Sequence, residues 1–240
     1  MMDATRQLLL EELMSSTPLF SDRINAGTLL ADSIIEELDK LKATGITAQP
    51  IVYALPRGGI PVAVPIARRL NCPLDIVVAK KITKPDNPEL AIGAVTADGQ
   101  VIWLDMKPFR KQQQNLRLEA MFQAQQKAQE QQEEFAASCP QLSAEGAIAI
   151  IVDDGIATGM TMAVAVQALR TQKPEQIWIC APVAPAELME WLNKWCDRVI
   201  VLDTPHQFQS VSRFYYEFPQ VETSIALAYL QEHNQIHQEK

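Results

Sequence analysis

Two adjacent carboxylates, Asp153 and Asp154, stand between an apolar run and a loop of small and hydroxyl residues. The run from Ala147 to Val152 has the length and composition of a buried β-strand, and Met162 to Leu169 keeps the apolar spacing of a helix. A strand, an acid pair, a small-residue loop and a helix form the layout of a site for sugar and phosphate. An isolated DDG or TG would more often be a solvated turn, so the prediction depends on the whole pattern.

A second junction of a strand, a glycine loop and a helix occurs earlier in the chain. The predicted strand Ile51 to Leu55 ends in Pro56-Arg57-Gly58-Gly59, and a helix is predicted from Val62 to Leu70. Adjacent glycines let backbone amides approach an anion closely, and an arginine can donate a bidentate pair to phosphate oxygens. The alternative is a tight turn that carries an exposed arginine.

Lysines follow the next predicted strand. The apolar run Leu74 to Ala79 leads directly into Lys80 and Lys81, and Lys84 comes shortly afterwards. In an acidic protein, this cluster suggests anion binding at the same edge of the sheet as the two loops. A solvated basic turn is the alternative.

Composition and charge exclude several classes of protein. The chain has 240 residues, a formal net charge of −8 and a pI near 5.0, which argues against a general nucleic-acid binder. The four cysteines are widely spaced and show no metal-binding pattern with the three histidines. No run reaches the roughly 18 apolar residues that would predict a membrane span, and no secretory signal precedes the first helix. We therefore expect a cytoplasmic protein that does not bind membranes.

Strand and helix patterns alternate along the chain, which predicts an α/β fold with a mostly parallel central sheet flanked by helices. A helix is expected from Phe20 to Leu41, and a hairpin from Leu90 to Thr96 with Val101 to Leu104. We expect one domain over residues 1–240, with its core at about 20–220.

Two segments lie outside this alternation. Residues 106–137 contain nine glutamines between Gln112 and Gln132, and a long, mostly exposed helix is predicted from Phe109 to Ser138. This helical arm suits a mobile arm, a lid or a partner-facing surface. Five aromatic residues cluster between Phe208 and Phe218, where they could cap a ligand pocket or seal the core. A short helix is also predicted over residues 1–18.

The segment VDDGIATGMT, residues 152–161, resembles the phosphoribosyl-pyrophosphate (PRPP) binding loop of type I phosphoribosyltransferases. Together with ALPRGGIPVA and KKITKPDNPELAIGAV, it is most similar to a bacterial subgroup of predicted phosphoribosyltransferases whose acceptor is not settled. The resemblance implies a Rossmann-like core, with a small hood formed by the N-terminal helix and residues 205–218. It covers the chain from about residue 20 to 220.

The resemblance also implies roles for individual residues, although it assigns no catalytic residue. The ribose hydroxyls would bind Asp153 and Asp154. The 5′-phosphate would bind the loop and the start of the following helix, through Gly155, Ile156, Ala157, Thr158, Gly159, Met160 and Thr161. The pyrophosphate would bind Arg57, Gly58, Gly59, Lys80 and Lys81. The substrates would be PRPP and a nitrogenous acceptor, with Mg²⁺ carried by PRPP, so that Asp153 and Asp154 are the only candidates for direct metal contact.

Two positions depart from the family pattern. Ala157 stands where 6-oxopurine salvage enzymes usually carry an aspartate, which argues against hypoxanthine or guanine as the acceptor. Gly155 replaces a bulkier apolar residue, which would loosen the turn. The alternative function is a regulatory module that senses PRPP or nucleotides without turnover, but Arg57 and the lysines favour catalysis because they can stabilise a leaving group. Family members are often homodimers, and the helical arm is a candidate contact; residues around 84–135 are a candidate lid that excludes water.

Overall fold

The computed structural model describes residues 18–84, 86–104 and 111–238. The predicted helix over residues 1–18 and the start of the helical arm therefore lie outside the described residues. The main elements are α1 (Arg23–Ala43), β1 (Pro50–Ala54), α2 (Gly59–Leu70), β2 (Leu74–Ile76), β3 (Ala79–Lys84), β4 (Asn87–Thr96), β5 (Val101–Trp103), α3 (Lys111–Ala136), β6 (Ile148–Val152), α4 (Met160–Arg170), β7 (Gln176–Val183), α5 (Met189–Leu192), β8 (Arg198–Asp203) and α6 (Thr223–Gln238).

The central sheet has five strands in the order β2-β1-β6-β7-β8, and every neighbouring pair is parallel. Successive residues of a strand enter the cores on opposite faces of the sheet, as Ile150 and Ile151 of β6 do. Helices α1, α2 and α6 contribute to one core, and α4 contributes to the other. This arrangement confirms the predicted α/β fold with a mostly parallel sheet.

A second sheet of three antiparallel strands, β3-β4-β5, contains the predicted hairpin. The prediction that the run Leu74 to Ala79 forms one strand is wrong. The N–H of Val77 still donates to the carbonyl of Ala54 in β1, whereas the carbonyl of Val78 accepts from Ala97. The chain therefore passes from one sheet to the other between these two residues, and Lys80 and Lys81 lie within β3 of the second sheet instead of following a strand of the central sheet.

Three helices differ from the sequence predictions in their extent or in their packing. Helix α2 begins at Gly59, earlier than the predicted Val62, because the N–H of Gly59 donates to the carbonyl of Leu55. The sequence also predicts a helix from Ala186 to Trp195, whereas the structure has a 3₁₀ turn (Ala186–Leu188) followed by the short α5. Helix α3 buries Ala124 and Ala128 as well as Phe135, so its C-terminal half packs more tightly than its glutamine content suggested. Within the described residues, no helix combines the length and apolarity that crossing a membrane requires.

Candidate active site

The candidate site lies where β1 and β6 end, at the carboxyl edge of the central sheet. The two strands pair in register, with Ala54 opposite Val152, and the N–H of Leu55 donates to the carbonyl of Val152 over 2.9 Å. The glycine loop that follows β1 and the acid pair that follows β6 therefore leave the sheet side by side. Their proximity confirms the expectation that the two loops share one sheet edge.

The glycines of the first loop pack directly against the acid pair. A Cβ atom on Gly58 would lie 2.1 Å from Oδ2 of Asp154. A Cβ atom on Gly59 would lie 2.6 Å from the carbonyl oxygen of Val152 and 3.4 Å from Oδ1 of Asp153. Side chains at these two positions would therefore displace the carboxylates or the backbone that carries them. The peptide bond between Pro56 and Arg57 in this loop is cis.

The carboxylates are half-buried and are held by hydrogen bonds from different parts of the chain. Oδ1 of Asp153 accepts the N–H of Asp154 over 2.8 Å. Oδ2 of Asp154 accepts Nε of Arg23 over 2.8 Å, and the hydroxyl of Tyr215 donates to the carbonyl of Asp154 over 2.6 Å. The pair is thus bonded both to α1 and to the segment 205–218.

Sequence reasoning missed Arg23. Its side chain is buried, and a signal for this was present in the helix pattern. Arg23 lies four residues before Gly27 and seven before Leu30, which places it on the face that α1 buries. A charged residue on a buried helix face generally has a charged partner.

Burial raises the pKa of Asp153 well above its usual range, and the neighbouring charge of Asp154 acts in the same direction. The charges of Arg23 and Lys81 oppose this shift. Burial also raises the pKa of Asp154, and its ion pair with Arg23 opposes that rise. The acid pair therefore keeps a proton to higher pH than isolated aspartates do, until cations or hydrogen-bond donors arrive.

The loop predicted to bind the 5′-phosphate runs from Gly155 into the first turn of α4. Gly159 has a positive φ of 72° and precedes the helix, which begins at Met160. Ala157 and Thr158 are exposed at the tip of the loop, and Thr161 is half-buried, whereas Ile156 is buried below them. The first N–H groups of a helix have no intrahelical partners, and they attract anions.

Gly155 does not loosen the turn. A Cβ atom at this position would lie 2.5 Å from Val211 and 3.1 Å from Val183, so the residue is closely packed. The next residue, Ile156, donates its N–H to the carbonyl of Val183 over 2.9 Å. Glycine is required here because the segment 205–218 lies against the loop.

Lys80 and Lys81 lie on opposite faces of β3, because successive strand residues alternate. Lys81 is exposed and acts on the pKa of Asp153, whereas Lys80 is half-buried. Burial lowers the pKa of Lys80, and the charges of Arg57 and Lys127 act in the same direction. The two lysines thus approach the sheet edge from different sides.

A cleft of about 980 Å³ adjoins the glycine loop. Its cationic walls are Arg57, Lys80 and Lys127 of α3, and Arg57 also donates to the hydroxyl of Thr223 over 3.1 Å. Three carboxylates of α3 complete the lining: Glu130, Glu133 and Glu134. The cleft therefore joins cations from three elements next to the acid pair, with the helical arm as one wall.

Three features meet at the carboxyl edge of this parallel sheet: an acid pair, a glycine loop and a helix N-terminus. Together they define the type I phosphoribosyltransferase class of α/β proteins. The chain matches the family described as "Phosphoribosyl transferase domain" over residues 21–216, and it belongs to that family.

Individual relatives agree with this assignment. A Mycobacterium tuberculosis H37Rv protein named "Putative phosphoribosyl transferase" is 33% identical over 213 residues, which cover 88% of this chain and 46% of the relative. The same values hold for its counterpart in strain CDC 1551. The chain thus spans about half the length of the curated relatives it matches. The crystal structure of the protein TT1426 from Thermus thermophilus is 31% identical, with a TM-score of 0.73, and the match covers 89% of this chain and 98% of that one.

The residues at the sheet edge fit a magnesium ion that arrives with substrate phosphates. Across residues 18–84, 86–104 and 111–238, no group of three or more His, Cys, Asp or Glu side chains could hold a metal ion by itself. Mg²⁺ usually keeps several waters and takes one or two carboxylates together with phosphate oxygens. Asp153 and Asp154 offer carboxylates of that kind beside the cationic cleft.

We expect Asp153→Asn to stabilise the protein at high pH. The pKa of Asp153 is raised in the folded state above its unfolded value of about 3.9. Ionisation of this carboxyl therefore costs stability above the folded pKa, and the cost disappears as the pH falls towards the unfolded value. Asparagine keeps the oxygen that accepts the N–H of Asp154 and removes the charge. The melting temperature at pH 8 should rise by roughly 3 °C or more.

The control for this experiment is Asp39→Asn, which neutralises an exposed carboxylate on α1. Its melting temperature should follow that of the wild type from pH 4 to pH 8. The gain from Asp153→Asn should shrink continuously towards pH 4. A gain that is independent of pH, or a loss at pH 8, would contradict the assigned pKa direction.

Proposed function

We propose that this chain binds PRPP with Mg²⁺ at the carboxyl edge of its central sheet and transfers the phosphoribosyl group to a nitrogenous acceptor, releasing pyrophosphate. The observation that carries the proposal is the contact of the glycine loop with the acid pair, in which Gly58 leaves no room for a Cβ atom beside Asp154. Anion-binding backbone and ribose-binding carboxylates are thereby combined in one site. Family membership supports the same reaction class.

The ribose hydroxyls would donate to the carboxylates of Asp153 and Asp154. The raised pKa of Asp153 suits this role, because two donated hydrogen bonds and the charges of Mg²⁺ and the lysines favour its ionised form. Ligand binding should therefore lower the pKa of Asp153.

The 5′-phosphate would occupy the N-terminus of α4, where the loop from Gly155 to Thr161 presents backbone amides and the exposed hydroxyl of Thr158. The leaving pyrophosphate would lie towards Arg57, the glycine loop of Gly58 and Gly59, and the two lysines, Lys80 and Lys81. When bound, Mg²⁺ supplies positive charge to the phosphate oxygens.

Bond cleavage at C1 of the ribose places positive charge on the sugar ring and negative charge on the pyrophosphate. The acid pair lies on the ribose side of the proposed arrangement, and Arg57 with the lysines lies on the pyrophosphate side. Both developing charges thus meet fixed charges of opposite sign. These charges lower the activation barrier of the transfer, because they need not reorient during the reaction. Because Ala157 offers a methyl group at the exposed loop tip, the acceptor must be recognised by other residues.

Calorimetry with PRPP and Mg²⁺ tests the donor site. Binding should weaken by at least about 100-fold in the double variant Asp153→Asn with Asp154→Asn, because two charged acceptors each contribute about 1.5–3 kcal/mol. The matched control is Asp32→Asn with Asp39→Asn, which removes the same charge from the exposed side of α1. Undiminished binding in the acid-pair variant would refute the site.

Release of pyrophosphate over a panel of purine and pyrimidine bases and nicotinate tests turnover. At least one base should support release, and Arg57→Met should slow it by about 10-fold or more through the lost charge on the leaving group. Arg69→Met is the control, because Arg69 pairs with the exposed Asp32. If PRPP binds and no base supports release, the chain is a PRPP sensor and the enzymatic proposal fails.

The helical arm is proposed as the lid that excludes water during transfer. Helix α3 packs on the second sheet, and Lys127 brings it to the wall of the cationic cleft. Tryptic cleavage after Lys127 requires α3 to open, so PRPP with Mg²⁺ should slow it several-fold. Cleavage after Lys42, which is exposed in the last turn of α1 and is followed by Ala43, serves as the internal control. Equal rates at Lys127 with and without ligand would contradict the lid.

A further inference from the structure

Arg23 is a buried cation that the proposed reaction does not use directly. Only 8% of its surface is exposed, and its guanidinium makes three contacts. Nε donates to Oδ2 of Asp154 over 2.8 Å, one terminal nitrogen donates to the carbonyl of Pro219 over 2.7 Å, and the group lies 3.7 Å from the ring centroid of Phe218. These partners are more than 130 positions away in the sequence.

The contacts fix the orientation of one carboxylate oxygen. Oδ2 of Asp154 is held by Arg23, and the backbone of Gly58 closes the space beside the same oxygen. Rotation of the carboxylate would break the ion pair or collide with the glycine loop. Oδ1 is the oxygen that Arg23 does not engage.

The guanidinium itself is held at the C-terminal end of the hood segment 205–218, by Phe218 and the following residue, Pro219. Stacking on Phe218 and the bond to Pro219 leave a planar group with little rotational freedom, which an ammonium group could not reproduce. The hydroxyl of Tyr215 also donates to the backbone carbonyl of Asp154. Two independent contacts therefore join this part of the chain to the same acidic residue.

We infer that Arg23 is a positioning residue for the ribose site: it orients the carboxylate of Asp154 towards the sugar hydroxyls and joins that carboxylate to the segment 215–219. The inference rests on the proposed function, because it assumes that Asp154 binds ribose. Arg23 acts through Asp154 and does not itself contact the substrate.

A double-mutant cycle separates positioning from general structural support. PRPP affinity in the presence of Mg²⁺ is measured for the wild type, Arg23→Met, Asp154→Asn and the double variant. We expect Arg23→Met to weaken binding by about 10-fold in the wild-type background and by less than about 2-fold in the Asp154→Asn background. If the losses of affinity from the two single substitutions simply multiply in the double variant, the inference is overturned. Arg69→Met, at an exposed ion pair between α1 and α2, should leave affinity unchanged.

The pH profile of binding is a second readout that lost packing alone would not move. Besides the two carboxylates themselves, the charges that act on the pKa values of the acid pair are those of Arg23 from α1 and Lys81 from β3, and the hydroxyl of Tyr215 lies beside them. Without Arg23, the pKa of Asp154 loses the cation that opposes its burial. The loss of PRPP affinity at acid pH should therefore begin at a higher pH in Arg23→Met than in the wild type. An identical pH profile in the two proteins would contradict the inference.

Two further variants keep the test decisive if Arg23→Met does not fold. Arg23→Lys keeps the charge and loses the fixed orientation of the guanidinium. Its affinity for PRPP should therefore lie between those of the wild type and Asp154→Asn, measured in the same double-mutant cycle. Phe218→Leu removes the stacking partner and should weaken binding less than Arg23→Lys does. If the wild type does not bind PRPP, the proposed function fails; if it binds and the cycle shows no coupling, only the role of Arg23 fails.

Discussion

Two neighbouring carboxylates at a half-buried sheet edge repel one another and lose hydration, and the surrounding structure is arranged to tolerate them. Burial is the larger cause of the raised pKa of Asp153, and the charge of Asp154 adds to it. Arg23 pairs with one carboxylate, and the charge of Lys81 acts on the other. The site therefore stores an electrostatic cost that a ligand rich in hydroxyl groups and cations can relieve.

That constraint explains why the first loop contains two glycines. Because β1 and β6 pair in register, the backbone after β1 must pass within contact distance of the acid pair. A side chain at Gly58 would fill the space that the carboxylate of Asp154 occupies, and one at Gly59 would collide with the carbonyl of Val152. The two glycines thus permit the close approach of the first loop to the carboxylates.

Local patterns in the sequence are sufficient to predict the strands, the acid pair and the start of α4, since each of these depends on residues that are near one another in the chain. Long-range geometry is not accessible in this way. The lysines are predicted to follow a strand of the central sheet, but the chain joins a second sheet after Val77, and hydrogen bonds from distant strands decide that change. Arg23 escapes prediction because its partner lies 131 positions away, and the tight packing of Gly155 depends on Val211 for the same reason.

The two walls of the site differ in how firmly they are held. The segment that carries Tyr215 pairs with Phe20 through backbone hydrogen bonds, its aromatic rings pack together, and it contacts both Arg23 and Asp154. Helix α3, by contrast, faces the cleft with opposed charges and many exposed glutamines. Movement of the first wall would disturb the acid pair directly, whereas movement of the second would only expose or cover the cationic cleft, where pyrophosphate is proposed to bind. Under the proposed function, α3 would therefore control the access of substrate, and the acceptor would fit against a wall whose position is fixed by its bonds to the proposed ribose site.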